Sequence, residues 1–294
     1  MATTQVQWYS GKVVLGPTGT GTLLPALAPV NVVAPRNLMP TPVMGAYVYW
    51  HMAAGLRQPM VDIRFACRDV DGEVLSDAFL SLFFGRTADT AHDTTAVTGG
   101  LHIWDGYRGV SLGGVKGESI TLAGSKGEIV TFSARFVAAS ITPLTSDPLP
   151  SAPTWSAAPV LSFNSVNFSG QLNNRVWSFM LSYANNHSPD MALDGTTFPA
   201  AWNAGMATAD LQLTTQSRDD AYVPGAVSGG VPDGSPIEFT ITGSSGAVTF
   251  TVANPHNQTP DNRIINPPRV MRQWQFLCLG ADAQSSPVSY VTTF

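Results

Sequence analysis

Charge is what this chain has least of. Asp, Glu, Lys and Arg make up 12% of its 294 residues, about half the quarter usual in soluble domains. A monomer with so few charges is poorly protected against association. An oligomer that buries much of its surface is therefore the expected state, against a lone β-rich monomer with Ser/Thr faces. Long apolar runs are missing too. No window approaches the about 18 to 20 uninterrupted apolar residues of a spanning helix. Only two cysteines occur, Cys67 and Cys278, too few for a disulfide framework. Both lie in strand-like runs, RFACR and QFLCLG, and read as buried free thiols of a protein made in a reducing compartment. The start, MATTQVQWYSGKVV, has no basic stretch followed by an apolar one, so no secretory signal is expected. The net charge of −5 disfavours binding nucleic acid through phosphate neutralisation. It still permits a surface along which nucleic acid passes without sticking.

Signatures of catalysis are absent as well. GPTGTGT places Gly16 and Gly21 at the spacing of a phosphate-binding loop, but Thr22 stands where the Lys belongs. A flexible loop is the expected reading. His51, His92, His102, His187 and His256 show no paired ligand spacing. No G-x-S-x-G occurs, and neither cysteine carries a nucleophile signature. Asp69/Asp71 and Asp219/Asp220 sit in turn-like contexts and read as solvated carboxylates. Asp190 and Asp194 do not match a calcium loop. No catalytic, cofactor-binding or metal-ligating residue is assigned, and the protein is read as not an enzyme.

What is present is a repeat. Ile120 to Phe132, ITLAGSKGEIVTF, matches Phe239 to Phe250, FTITGSSGAVTF. Both hold Gly-Ser-x-Gly between strand-like runs, with Gly124 and Gly127 in the first and Gly243 and Gly246 in the second. Gly85 closes LSDAFLSLFFG and Gly205 closes FPAAWNAG at nearly the same distance upstream. The offset is roughly 115 to 120 residues, too long for a solenoid and suited to a duplicated domain. Tight turns of this kind call for positive φ at a glycine, so Gly127 and Gly246 are expected to be equivalent.

Four segments follow. Residues 1–41 read as an extended N-terminal arm with one strand, part of the first domain, because Pro25, Pro29, Pro35 and Pro40 remove backbone donors. Deleting 1–35 is expected to leave folded protein. Residues 42–142 form domain 1, and 143–158 a Pro-rich linker. Residues 159–294 form domain 2. Ser76 to Phe84 predicts a helix, N-capped by Ser76 and carrying a dense apolar face; Phe198 to Ala204 predicts its counterpart. The fold class is mainly β: two tandem β-barrel or sandwich domains, each with one flanking helix. A rival reading takes the seven tryptophans as sugar-stacking platforms of a carbohydrate-binding or hydrolytic β-domain pair. Most of them fall in strand- or helix-like runs, which favours packing.

This order of strands, one helix and a closing hairpin, twice over, resembles the major tail tube protein of long-tailed bacteriophages, in its form with two fused tube domains. The paired Gly-Ser-x-Gly hairpins, Gly85, Gly205 and the final strand RVMRQWQFLCLGA at 269 to 281 carry the resemblance. It implies trimeric rings with six similar places, stacked into a tube. It also implies strands of neighbours joined in one inner barrel and an acidic lumen through which DNA slides. Tape-measure and terminator proteins would be partners. The site would be the virion tail, after synthesis in the bacterial cytoplasm, with no membrane contact. No residue is assigned to the lumen. The nearest structural alternative is another head–tail or tail component of similar fold.

Overall fold

In the computed structural model, residues 11–33, 36–41, 51–69, 73–84, 99–149, 159–172, 175–190, 199, 201–203, 205–217, 235–258, 262–266, 269–280 and 285–294 are described. The first half runs β1 (Lys12–Leu15), β2 (Thr22–Leu24), β3 (Ala26–Val33), β4 (Arg36–Thr41), β5 (His51–Arg57) and β6 (Met60–Ala66). Helix α1 (Asp77–Phe84) follows, then β7 (Leu101–Trp104), β8 (Gly109–Gly113), β9 (Lys116–Ser125), β10 (Thr131–Val137) and β11 (Ser140–Leu144). The second half holds β12 (Val166–Phe168), β13 (Val176–Ala184), β14 (Ser188–Asp190), β15 (Ala201–Asn203) and β16 (Thr208–Ser217). It continues with β17 (Ile237–Thr242), β18 (Ala247–Val252), β19 (Asn254–Asn257), β20 (Asn262–Asn266), β21 (Arg269–Leu279) and β22 (Val288–Thr292).

The fold is mainly β, and among the described residues no sheet closes into a barrel. A nine-stranded sheet runs β19-β21-β16-β13-β9-β10-β6-β3, with β20 also on β21. A five-stranded sheet, β11-β8-β7-β1-β2, and a four-stranded sheet, β12-β17-β18-β22, complete the sandwich. Two ribbons, β4-β5 and β14-β15, are excursions from it. The large sheet alternates: Phe179, Leu181 and Tyr183 of β13 face the core, as do Leu211 and Leu213 of β16, and Trp274 and Phe276 of β21. Aromatic rings then tie the halves together. Phe79 of α1 meets Phe65 and Phe136 with centroids 5.5 and 6.3 Å away. Phe84 of the same helix meets Tyr183 at 4.8 Å and Phe250 at 5.8 Å. Phe239 lies 5.2 Å from both Phe179 and Phe250.

The two halves share one wiring. In the large sheet, β3-β6-β10-β9 is followed by β13-β16-β21-β19, and β20 continues the β19 edge. In the small sheets, β11-β8-β7-β1 has the same order as β22-β18-β17-β12. Strands matched this way lie roughly 135 to 155 residues apart. The offset of roughly 115 to 120 drawn from the Gly-Ser-x-Gly hairpins does not match this wiring. β9-β10 lies in the large sheet and β17-β18 in a small one.

Four further expectations are corrected. Residues 12–41 contain four paired strands, not one strand in an arm. Pro29 is tolerated because β3 is an edge strand with a register break between Leu27 and Asn31. Val13, Val14 and Leu24 are buried, so deleting 1–35 removes part of the core. Where the second flanking helix was expected, Ala201–Asn203 is a strand paired with Ser188–Asp190, and α1 is the single α-helix among the described residues. The carbonyl of the buried Trp202 accepts a bond from Lys116 Nζ at 2.9 Å instead of a helical one. The GPTGTGT loop is a built turn between β1 and β2. Gly21 N donates to Pro17 O at 2.7 Å and Gly19 N to Pro148 O at 2.7 Å. The expected linker begins inside β11, and Lys12 Nζ holds Asp147 and the Leu149 carbonyl, each at 2.6 Å.

Helix α1 forms as its sequence predicts. Phe79 N donates to Ser76 Oγ at 3.4 Å, and Asp77 lies in the first turn. Cys67 and Cys278 are free and buried. Burial pushes the Cys67 thiol well up and the Cys278 thiol up to about 12.

Candidate functional site

Three features could serve assembly: the outward face of the large sheet, its two open edges, and the junction between the halves. The face follows from alternation along the strands. With core residues turned one way, the register lines up Asp62, Arg135, Ser119 and Ala184 in one row across β6, β10, β9 and β13. The next row is Arg64, Ser133, Thr121, Ser182 and Asp210. Ser125, Ser178, Thr214 and Gln273 form another. The rows are mostly Ser, Thr, Gln and Ala, and their charges balance. Arg135 Nε donates to Asp62 Oδ1 at 2.7 Å. That bond raises the guanidinium's pKa further. Arg64 and Asp210 are the other charges of these rows.

The edges are β3 at one end and β19 with β20 at the other. Edge backbone is a template for pairing with another chain. Both edges carry proline, Pro29 in β3 and Pro255 in β19, which limits how a partner strand can register.

At the junction, β9 pairs antiparallel with β13 from Ser119↔Ala184 to Ser125↔Ser178. Polar groups fasten it. The buried Asn185 Nδ2 donates to the carbonyls of Gly117 at 2.8 Å and Phe83 at 3.1 Å. His187 N donates to Glu118 Oε2 at 3.0 Å, and His187 Nδ1 lies 2.8 Å from the same oxygen. Tyr290 Oη donates to Asp77 Oδ1 at 2.6 Å. Burial, then that carboxylate, raises the phenol pKa.

Asp69, in the corner after β6, reaches the turn between β17 and β18. Its carboxylate accepts from Ser244 N at 2.6 Å, Ser245 N at 2.8 Å and Ser244 Oγ. Ser245 Oγ donates to the Asp69 carbonyl at 3.1 Å. Asp69 is thus buried, not the solvated carboxylate its turn context suggested. The Ser244 hydroxyl and the Ser245 amide lower its pKa to about 2. Beside it, Arg68 Nη1 pairs with Glu73 Oε1 at 3.2 Å, both buried. Burial nonetheless leaves the Glu73 pKa raised, with Arg68 opposing.

The glycines singled out by the repeat are not brought together. Gly127 sits in the β9-β10 turn with φ +89 and open space around it. Gly124 lies inside β9 opposite Phe179; a Cβ there would come within 2.9 Å of that ring. Neither Gly243 nor Gly246 has positive φ. Gly205 follows β15 and donates to the carbonyls of Asn185 and Asn186 at 3.1 and 3.0 Å. Gly85, Asp71, Asp194, Asp219 and Asp220 lie outside the described residues. Among those described, no three His, Cys, Asp or Glu side chains group to hold a metal. None of the described helices is long and apolar enough to cross a membrane. Trp104, Trp202 and Trp274 are buried, so these three offer no sugar platform.

Among the described residues the large sheet thus has a polar face and two edges without a partner strand. A family model described as phage tail tube protein matches residues 52–282. The chain belongs to the phage tail tube family. No curated protein matches the chain. As a tail tube protein it has a structural role in the phage tail. Sequence reasoning missed Asp69, Asn185 and the Glu118–His187 pair. One signal was available: Arg68-Asp69 follows β6 much as Arg218-Asp219 follows β16. That spacing is close to the offset of the strand wiring.

Proposed function

We propose that the chain is two fused tube domains, polymerises into stacked rings and forms the conduit through which phage DNA passes. One observation carries this reading: strand order in the large sheet repeats head to tail. The edge β9 of the first half already pairs with the edge β13 of the second. The free edges, β19/β20 and β3, hold the same places in their halves as β9 and β13 do. A second chain can therefore repeat the internal joint, and a head-to-tail joint that closes makes a ring. Three chains then supply six similar places, and closure removes both exposed edges.

In this reading the Ser/Thr/Gln face lines the lumen. The resemblance implied an acidic lining; the described rows of this face are charge-balanced instead, with Asp62 holding the Arg135 guanidinium. Such a face gives phosphate few free cations to bind, so DNA slides past without release of many counterions. Tape-measure and terminator proteins are the expected partners, in the virion tail, after assembly in the host cytoplasm. No enzymatic step is part of the role.

Electron microscopy of assembled tubes tests the reading. Rings with true threefold and apparent sixfold symmetry are expected. Six chains per ring, or particles that never form rings, would remove it.

A further inference from the structure

The turn at Gly243–Gly246 has a counterpart under the strand wiring, the β7-β8 turn at Asp105–Arg108. Both close alike: Asp105 N donates to Arg108 O at 2.9 Å, and Gly243 N to Gly246 O at 2.9 Å. They differ in what caps their inner amides. In the first turn Asp105 caps itself, its Oδ1 accepting from Tyr107 N at 2.7 Å and Arg108 N at 2.6 Å. In the second, glycine stands where Asp105 would be, and the carboxylate comes from Asp69, 175 and 176 positions from the amides it caps. A Cβ on Gly243 would run into that carboxylate, 2.6 Å from its carbon. The glycine is thus a vacated position that admits a carboxylate from elsewhere.

We propose that the Gly243–Gly246 turn is a carboxylate-binding site whose ligand is Asp69 of the same chain, and that this clasp couples folding of the second half's hairpin to the first half. Charge-assisted bonds to backbone amides are among the stronger hydrogen bonds. Here they join the corner after β6 to a hairpin of the other small sheet. The self-capped Asp105 turn needs no such outside acceptor, and its Tyr107 is left exposed. The two small sheets are therefore held differently: the second is clasped to its upstream neighbour by Asp69, whereas the β7-β8 turn of the first caps itself.

The test moves the cap. Full-length wild type, D69A, G243D and D69A/G243D are compared by exchange of the Ser244 and Ser245 amides and by calorimetric unfolding of unassembled protein. In D69A these amides should exchange about tenfold faster or more, because a charged cap is lost, and unfolding should split into two steps. In D69A/G243D the new carboxylate should act as Asp105 does. By that register, which matches Tyr107 to Ser245 and Arg108 to Gly246, protection returns at the Ser245 amide and appears at that of Gly246, while the Ser244 amide stays fast and the two steps remain. G243D alone should be less stable than the double variant, since two carboxylates then compete for one turn. Should D69A fail to fold, D69N retains one acceptor oxygen and should show intermediate protection. Unchanged amide exchange in D69A or D69N would show that Asp69 is not the ligand. A single transition in D69A, or its recovery in D69A/G243D, would reduce the clasp to a local cap and overturn the coupling.

Discussion

The two hairpins that spell Gly-Ser-x-Gly share letters and little else. In the first, Gly124 is a core-facing strand residue and Gly127 a left-handed turn residue in open space. In the second, both glycines lie in the turn, neither with positive φ, and one of them makes room for Asp69. The same four-residue pattern thus answers three separate demands: closeness to an aromatic ring, a rare backbone conformation, and space for a carboxylate. A glycine reports that a side chain is unwelcome, and the surroundings decide why.

Valine at each position separates those reasons. Gly243→Val should cost most, about 3 kcal/mol or more, because it displaces the Asp69 carboxylate from its amides and leaves it buried without them. Chemical denaturation reads this directly. Gly124→Val comes next, at about 1–3 kcal/mol, as overpacking against Phe179 and Phe163. It should also slow tube formation, since β9 forms the joint between the halves. Gly127→Val should cost about 1–2 kcal/mol through left-handed strain alone, with little change in contacts elsewhere. Gly246→Val should be mildest, about 1 kcal/mol, because the half-buried Gly246 has no positive φ and the strain falls on the segment Thr293–Phe294. The atoms nearest its Cβ belong to Thr293 and Phe294, at 2.9 to 3.0 Å. Equal melting points for Gly127→Val and Gly246→Val would restore the equivalence that the repeated letters suggested.

Acid gives a subtler separation. The Asp69 pKa falls from 3.8 to about 2 on folding. A depressed folded pKa contributes stability above the unfolded value, and that stability is lost as pH falls through the folded one. Between pH 4 and pH 2, wild type should lose more stability than Asp69→Asn, with the two curves converging at the acid end. Parallel curves over that window would contradict the clasp.

Much of the fold is legible without coordinates. Helix α1 is announced by Ser76, Asp77 and its run of Phe and Leu. The strands around Met60, Thr131 and Arg269 are announced by alternation and β-branched or aromatic residues. Burial of both cysteines followed from their strand contexts. The N-terminal strands were hidden by prolines, which forbid central strands yet are allowed at an edge with a register break, and only the sheet reveals which strand is at its edge. The second helix was expected from a short Pro-to-Gly segment around Trp202. Local propensity there is weak, and pairing with β14 decides the outcome.

By itself, the sequence determined a lightly charged, mainly β chain with one strongly patterned helix and no catalytic motif. These follow from composition and from periods of two and 3.6 residues, which any stretch of chain carries locally. The tertiary structure alone decided which segments repeat each other and which edges stay open. It also decided that a carboxylate after β6 caps a turn far along the chain. Such facts depend on strand pairing and on contacts between distant residues, and no local pattern encodes the partner.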